Sequence, residues 1–160
     1  MECEALANVR AVLQLCAGGK LRCSEKTRLP AAATVAAVSQ VLVAGDFYPE
    51  EPVSAFAWPL LVQAGGLAEL AGARLQLTAR GRAALGGQPV ESLAGLWRRW
   101  VSHGVIDEFS RIDAIKGQRT GKALSAVKPR RQVVARALAS CCPLGEWVEV
   151  DELFAVMWGG

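Results

Sequence analysis

Residues 61–85 read LVQAGGLAELAGARLQLTARGRAAL, and the hydrophobic period of this stretch changes twice. Apolar residues at helical spacing end at a Gly-Gly pair, residues 65–66, which commonly stops a helix. Leu75 and Leu77 then alternate with polar residues, as in a strand with one buried face. Thr78 follows where its hydroxyl can accept an orphan N–H group of a new helix. The stretch therefore predicts a helix, a tight hairpin and a Thr-capped helix.

The tip of the hairpin is predicted at Ala71-Gly72-Ala73. Three features together resemble the winged helix-turn-helix superfamily. They are the order of elements, a Gly-Leu step at 66–67 and a Leu-Thr-x-x-Gly-Arg motif at 77–82. The resemblance implies a mainly α fold with small β wings in this part of the chain. It does not imply one function, because winged helices bind DNA, RNA and proteins alike. The leucines assigned to the hairpin strands are Leu67, Leu70, Leu75 and Leu77.

The residues before this stretch fit the same order of elements. Apolar spacing, a glycine pair and two prolines predict a first helix, a short strand and two further helices. Pro59 falls inside the third helix, where its missing N–H and its ring predict a kink or an interruption. The winged-helix domain then covers residues 1–88, and its segments are Glu4–Leu15, Lys20–Cys23, Ala31–Ala44 and Pro52–Ala64.

The second half of the chain predicts a bridging helix and a basic linker over residues 89–128, and a new unit over 129–160. In that unit Trp147–Val150 alternates like a strand with Trp147 buried, and Asp151 is placed to cap a last helix, Glu152–Trp158. Helix, strand and helix form the first half of another winged helix. The prediction is a tandem whose second unit is incomplete: either a continuation of the chain completes it, or it is a divergent unit that packs on the first.

Composition limits the class of protein. A hydrophobic fraction of 52% excludes general disorder, and no apolar run reaches the roughly 18 residues of a membrane helix. The first residues lack the basic and then apolar layout of a signal peptide, and the five cysteines show no disulfide framework. We therefore expect a cytoplasmic protein with no membrane partner. Abundant Ala, Arg, Gly and Leu indicate a GC-rich, bacterial genome.

The chain offers few residues for catalysis. His103 is the only histidine and stands at a helix end, where a surface position is expected rather than a general base. The cysteine spacings do not match zinc ligand pairs. The run GQRTGK at 117–122 has three residues between its glycines and is followed by Ala123, so it departs from a phosphate loop and predicts a flexible basic linker. We expect no enzyme activity, metal, cofactor or small-molecule substrate.

Sequence-specific DNA reading by the third helix is not expected. This helix usually enters the major groove in winged helices. Here it offers only Ser54 and Gln63 as base contacts, and it follows Glu50 and Glu51, whose charges repel phosphates.

Positive charge elsewhere in the chain predicts phosphate contacts instead. All eight basic residues after position 110 precede residue 137, with Asp113 the only acid among them. If this basic segment, 111–136, neutralises four to six phosphates, log affinity should fall with log salt with a slope of about −4 to −5. Further contacts are predicted near the second helix and around the wing. The predicted nucleic-acid-binding residues are Arg22, Lys26, Arg28, Arg74, Arg80, Arg82, Arg119, Lys122, Lys128, Arg130 and Arg131.

The sequence thus predicts a non-enzymatic winged-helix module that binds DNA with low sequence specificity inside a larger bacterial protein or complex. For the cations, the alternative is a solvated charged surface that binds nothing. For the function, the alternative is a winged helix that binds only proteins or forms a homodimer. The apolar third helix favours this alternative if the domain does not cover it, because an uncovered apolar helix needs a partner subunit.

Overall fold

The computed structural model describes residues 2–46, 50–87, 89–103, 107, 126–143 and 145–159. These residues are mainly α-helical and contain one two-stranded antiparallel hairpin. The chain divides into two compact units, unit 1 being Met1–Trp100 and unit 2 Val101–Gly160. Among the helices of these ranges, none combines the length and the apolar character needed to cross a membrane.

The order of elements in unit 1 agrees with the sequence-based expectation for its helices and hairpin. The second helix ends at Ser39, five residues earlier than predicted. In the segment after it, the Val43 backbone N–H donates to the Asn8 side chain of the first helix (2.9 Å). The third helix continues through Pro59, so the predicted interruption at this proline does not occur. The elements are α1 Glu2–Ala17, α2 Ala32–Ser39, α3 Val53–Ala64, β1 Ala68–Ala71, β2 Arg74–Leu77, α4 Ala79–Gly86 and α5 Pro89–Ser102.

The hairpin forms where the change of period predicted it. Strands β1 and β2 pair antiparallel, with Leu70 opposite Leu75, and Leu75 is buried. Gly72 is the first of the two turn residues and has a φ of 58°, a value that type II′ hairpin turns place on glycine. Leu67 precedes β1 instead of belonging to it, but it is fully buried beneath the hairpin.

The Leu-Thr-x-x-Gly-Arg motif joins α4 to the end of α3. The Thr78 hydroxyl accepts the Gly81 N–H (3.0 Å), as predicted for a cap, and donates to the Gly66 carbonyl (2.8 Å). The Thr78 N–H donates to the Leu67 carbonyl (3.0 Å). Gly81 lies so close to that carbonyl that a Cβ would stand 1.9 Å from its oxygen. Arg82 donates to the Leu77 carbonyl (2.7 Å). The motif thus fixes where α4 packs.

The core of unit 1 brings together residues from α1, α2, α3, the hairpin and α5. The side chains that α1 contributes are spaced three or four residues apart, as the helical period predicted. Burying each such Val or Leu contributes about 1.5–3 kcal/mol relative to an exposed position. The core residues include Val9, Val12, Leu13, Leu21, Val38, Val62, Leu67, Leu75 and Leu96.

In unit 2, α6 (Val127–Cys141) packs against α7 (Val150–Trp158). Three predictions for this unit are wrong. Residues 147–149 are not a strand, Val150 already belongs to the last helix, and Trp147 is 93% exposed instead of buried. Asp151 does not cap the last helix, which begins two residues earlier than predicted and has Glu149 at its N-cap without a side-chain hydrogen bond. A strand needs a neighbouring strand for its N–H and C=O groups, and the described part of unit 2 contains none.

Candidate nucleic-acid interface

Residues 20–23 extend the hairpin on the free edge of β2. The Leu75 N–H donates to the Leu21 carbonyl (3.0 Å), and the Cys23 N–H donates to the Ala73 carbonyl (2.9 Å). These two bonds flank Arg22 and Arg74, which form an isolated antiparallel bridge. Arg22 and Arg74 are therefore a non-hydrogen-bonded pair, the arrangement in which opposite side chains of two strands lie closest, with Cα atoms about 4.5 Å apart.

Alternation along the backbone separates a buried side from an exposed side. Leu21, Cys23 and Leu75 are buried in the core of unit 1, while Arg22 and Arg74 are exposed. Directly opposite residues project to the same face of a sheet. The two guanidinium groups therefore share the outer face of the hairpin, and we call them the wing arginine pair.

The wing arginine pair carries two like charges. Within the residues that the structure describes, neither guanidinium forms an ion pair or a side-chain hydrogen bond. Like charges directly opposite on neighbouring strands destabilise a sheet, so the pair is a place where an anion would be bound favourably. Lys20 is exposed two residues before Arg22 and adds a third positive charge.

A shallow groove of about 630 Å³ continues from this pair towards α4. The groove is lined by Arg74, Gln76 and Arg82 together with the end of α1. The Arg74 side chain lies along Gly19. A Cβ added to Gly19 would stand 3.7 Å from the Cδ and Nη1 atoms of Arg74. One guanidinium nitrogen of Arg82 donates a hydrogen bond to the Leu77 carbonyl. The groove thus connects a third guanidinium to the wing arginine pair.

Thr34 positions the backbone of Arg22, a role that was not predicted from the sequence. Its hydroxyl is buried in α2, accepts the Arg22 N–H and donates to the Arg22 carbonyl, both at 2.7 Å. In a non-hydrogen-bonded pair these two backbone groups point away from the partner strand, so Thr34 supplies the partners that β2 does not. The sequence signal for this role of Thr34 is that it is the only β-branched polar residue of the Ala-rich second helix.

The other predicted cations of unit 1 lie apart from this face. Lys26 is exposed in a turn. Arg28 has a φ of 63°, and its backbone carbonyl accepts the Gln63 side-chain amide (3.2 Å). Arg28 lines a second groove of about 380 Å³ together with Glu69. Arg80 lies over α5, where a Cβ on Gly95 would stand 2.7 Å from its Nη2 atom.

In unit 2, two predicted phosphate contacts are engaged within the protein. Arg131 is only 3% exposed and donates to the His103 carbonyl (2.6 Å). Arg130 forms an ion pair with Asp107 (2.7 Å). Lys128 is exposed in the first turn of α6. Arg119 and Lys122, with the rest of the GQRTGK run, lie outside the described residues.

The third helix does not present base-reading side chains. Gln63 is buried and donates to the carbonyls of Pro59 (3.1 Å) and Arg28 (3.2 Å). The Asp46 carboxylate accepts the N–H groups of Ser54 and Ala55 at the start of α3. An anion therefore already occupies the helix N-terminus, where the helix dipole would otherwise attract a phosphate.

Two cysteines of unit 1, Cys16 and Cys23, are buried free thiols. Burial, and then the charge of the Cys23 thiolate, raises the pKa of the Cys16 thiol to about 12. Burial also raises the pKa of the Cys23 thiol. A thiol is reactive as its thiolate, so both cysteines are core residues. In the ranges that the structure covers, no three His, Cys, Asp or Glu side chains cluster closely enough to hold a metal ion.

Comparison with models of protein families, with curated proteins and with solved structures finds no match to this chain.

Proposed function

We propose that unit 1 is a non-enzymatic module of the winged-helix type that binds duplex DNA through its phosphate backbone. The observation that carries this proposal is the wing arginine pair, in which two guanidinium groups on one sheet face have no anionic partner in the described chain. Guanidinium groups bind phosphate oxygens with two parallel N–H bonds. A phosphate between Arg22 and Arg74 would turn their mutual repulsion into two attractive contacts.

The order of elements supports the winged-helix type. A short extended segment between α1 and α2 pairs with the hairpin that follows α3, which is the arrangement that gives this fold its wing. Backbone contacts from a wing fix a protein on DNA without reading its bases. Low sequence specificity follows, because α3 holds Gln63 in the core and Asp46 at its N-terminus.

A protein-binding winged helix is the second candidate. The exposed start of α3 is apolar, with Val53 41% exposed, and Phe56 and Ala57 only half-buried. Such a helix face suits a protein partner or a second copy better than a phosphate backbone. In either case we place the module within a larger bacterial protein or complex.

Fluorescence anisotropy of a labelled DNA duplex tests the first proposal. If the wing arginine pair and Lys20 neutralise three phosphates, log affinity should fall with log salt with a slope of about −3. The double variant Arg22→Ala/Arg74→Ala should weaken binding at low salt at least about tenfold and reduce the slope by about 2.

The double variant Arg10→Ala/Arg98→Ala is the matched control, because it removes the same net charge from two exposed residues that lie outside the wing and outside the predicted nucleic-acid contacts. It should lower affinity only slightly. Absence of binding at low salt, or equal losses in the two double variants, would favour the protein-binding candidate.

A further inference from the structure

Within the described part of unit 2, one face of α7 is exposed. The helix packs against α6, and its Leu153 and Met157 are half-buried. Val150, Phe154 and Trp158 are spaced four residues apart and form a strip along the helix. All three are exposed, Phe154 by 48% and Trp158 by 88%. We call these three residues the α7 strip. Aromatic side chains exposed in a contiguous strip mark a surface that meets a partner.

The charges around the α7 strip restrict its partner. Residues 146–159 contain four carboxylates and no Lys or Arg. Asp151 and Glu152 are exposed in the first turn of α7, and Glu146 and Glu149 are exposed just before it. The strip is therefore an apolar surface with an acidic border.

This combination disfavours three kinds of partner. Nucleic acid is repelled by the carboxylates. An anionic membrane surface binds helices whose polar face carries Lys or Arg, and α7 has neither. A second copy that docked strip against strip would bring two identical acidic borders together, which costs free energy by like-charge repulsion.

We propose that the α7 strip binds an amphipathic helix of another protein, whose apolar residues recur at helical spacing and whose flanks carry Lys or Arg. The apolar side chains of that helix cover Phe154 and Trp158, and its cations pair with Glu149 and Asp151, the two exposed carboxylates on either side of Val150 in the sequence. This mode of recognition uses a few anchors at i, i+4 and i+8 positions. The inference concerns unit 2 alone and stands apart from the DNA-binding proposal for unit 1.

The test measures binding of two synthetic model peptides to the full chain. Each peptide has about 18 residues, or five helical turns, and the same leucine pattern. One carries Lys at every polar position and the other carries Glu. We expect the Leu/Lys peptide to bind and the Leu/Glu peptide not to bind in fluorescence anisotropy. Phe154→Ala/Trp158→Ala should weaken binding at least about tenfold. Glu149→Gln/Asp151→Asn should weaken it about three- to tenfold, and less at high salt.

Matched controls come from unit 1. Val43→Ala removes an exposed apolar side chain, and Glu50→Gln/Glu51→Gln removes two exposed carboxylates; neither should change affinity. Equal binding of the two peptides would overturn the proposal, as would equal losses in the control and strip variants. Self-association in sedimentation experiments that Phe154→Ala/Trp158→Ala abolishes would assign the strip to a second copy instead. If that variant loses helicity, the carboxylate variant still decides the outcome, because it leaves the apolar contacts intact.

Discussion

Replacing Gly81 with Ala should destabilise unit 1, although alanine is normally the better helix residue by about 1 kcal/mol. The added Cβ would stand 1.9 Å from the Leu67 carbonyl oxygen, and real Cβ contacts essentially never come closer than 3.0 Å. The start of α4 must therefore retreat from Leu67 by the difference, 1.1 Å. The obstacle is backbone, so it cannot rotate away as a side chain would.

This retreat breaks a small hydrogen-bond network. The bond from the Thr78 N–H to the Leu67 carbonyl and the bond from the Gly81 N–H to the Thr78 hydroxyl are both 3.0 Å long and both depend on the close approach. Losing them costs about 1 kcal/mol each, and overpacking adds about 2 kcal/mol. After the gain in helix propensity, the expected loss is about 3 kcal/mol, which lowers Tm by at least about 12 °C in a domain of this size.

Thermal unfolding followed by circular dichroism measures the effect, and Gly86→Ala is the control in the same helix. A Cβ on Gly86 meets nothing within 4 Å, so this variant should be unchanged or more stable by up to about 1 kcal/mol. If Gly81→Ala and Gly86→Ala unfold at the same temperature, the close packing of α4 on Leu67 is refuted.

Two further predictions concern residues whose environment the structure decides. At pH 9, iodoacetamide should alkylate the exposed Cys3 more than about 100-fold faster than Cys16, whose pKa burial and Cys23 raise to about 12; equal rates in peptide mass mapping would contradict a buried thiol. Because the unfolded thiol ionises near pH 9 while the folded one keeps its proton to about pH 12, the Cys16 contribution to stability is complete below pH 9 and falls between these values. Trp147→Ala should change the free energy of unfolding by no more than about 0.5 kcal/mol, since the indole is 93% exposed; a decrease in Tm as large as that of Gly81→Ala would show that the side chain is packed.

The sequence by itself determined the local architecture of unit 1. The helix stop at Gly66, the turn at Gly72 and the cap at Thr78 were all predicted correctly. Each depends on backbone conformation and hydrogen bonds among residues a few positions apart, so the information is contained in a short stretch of chain. The mainly α character with a small hairpin follows from the same local patterns.

Only the tertiary structure decided what the polar and aromatic side chains do. Arg22 and Arg74 are far apart in the sequence, and pairing of residues 20–23 with β2 makes them neighbours. Gln63 and Arg131 were predicted as candidates for nucleic-acid contacts, but each is buried and donates a hydrogen bond to a backbone carbonyl. Trp147 was predicted to be a core residue, but it is exposed. Burial and pairing depend on which distant segments approach one another, and hydrophobic periodicity within one segment does not contain that information.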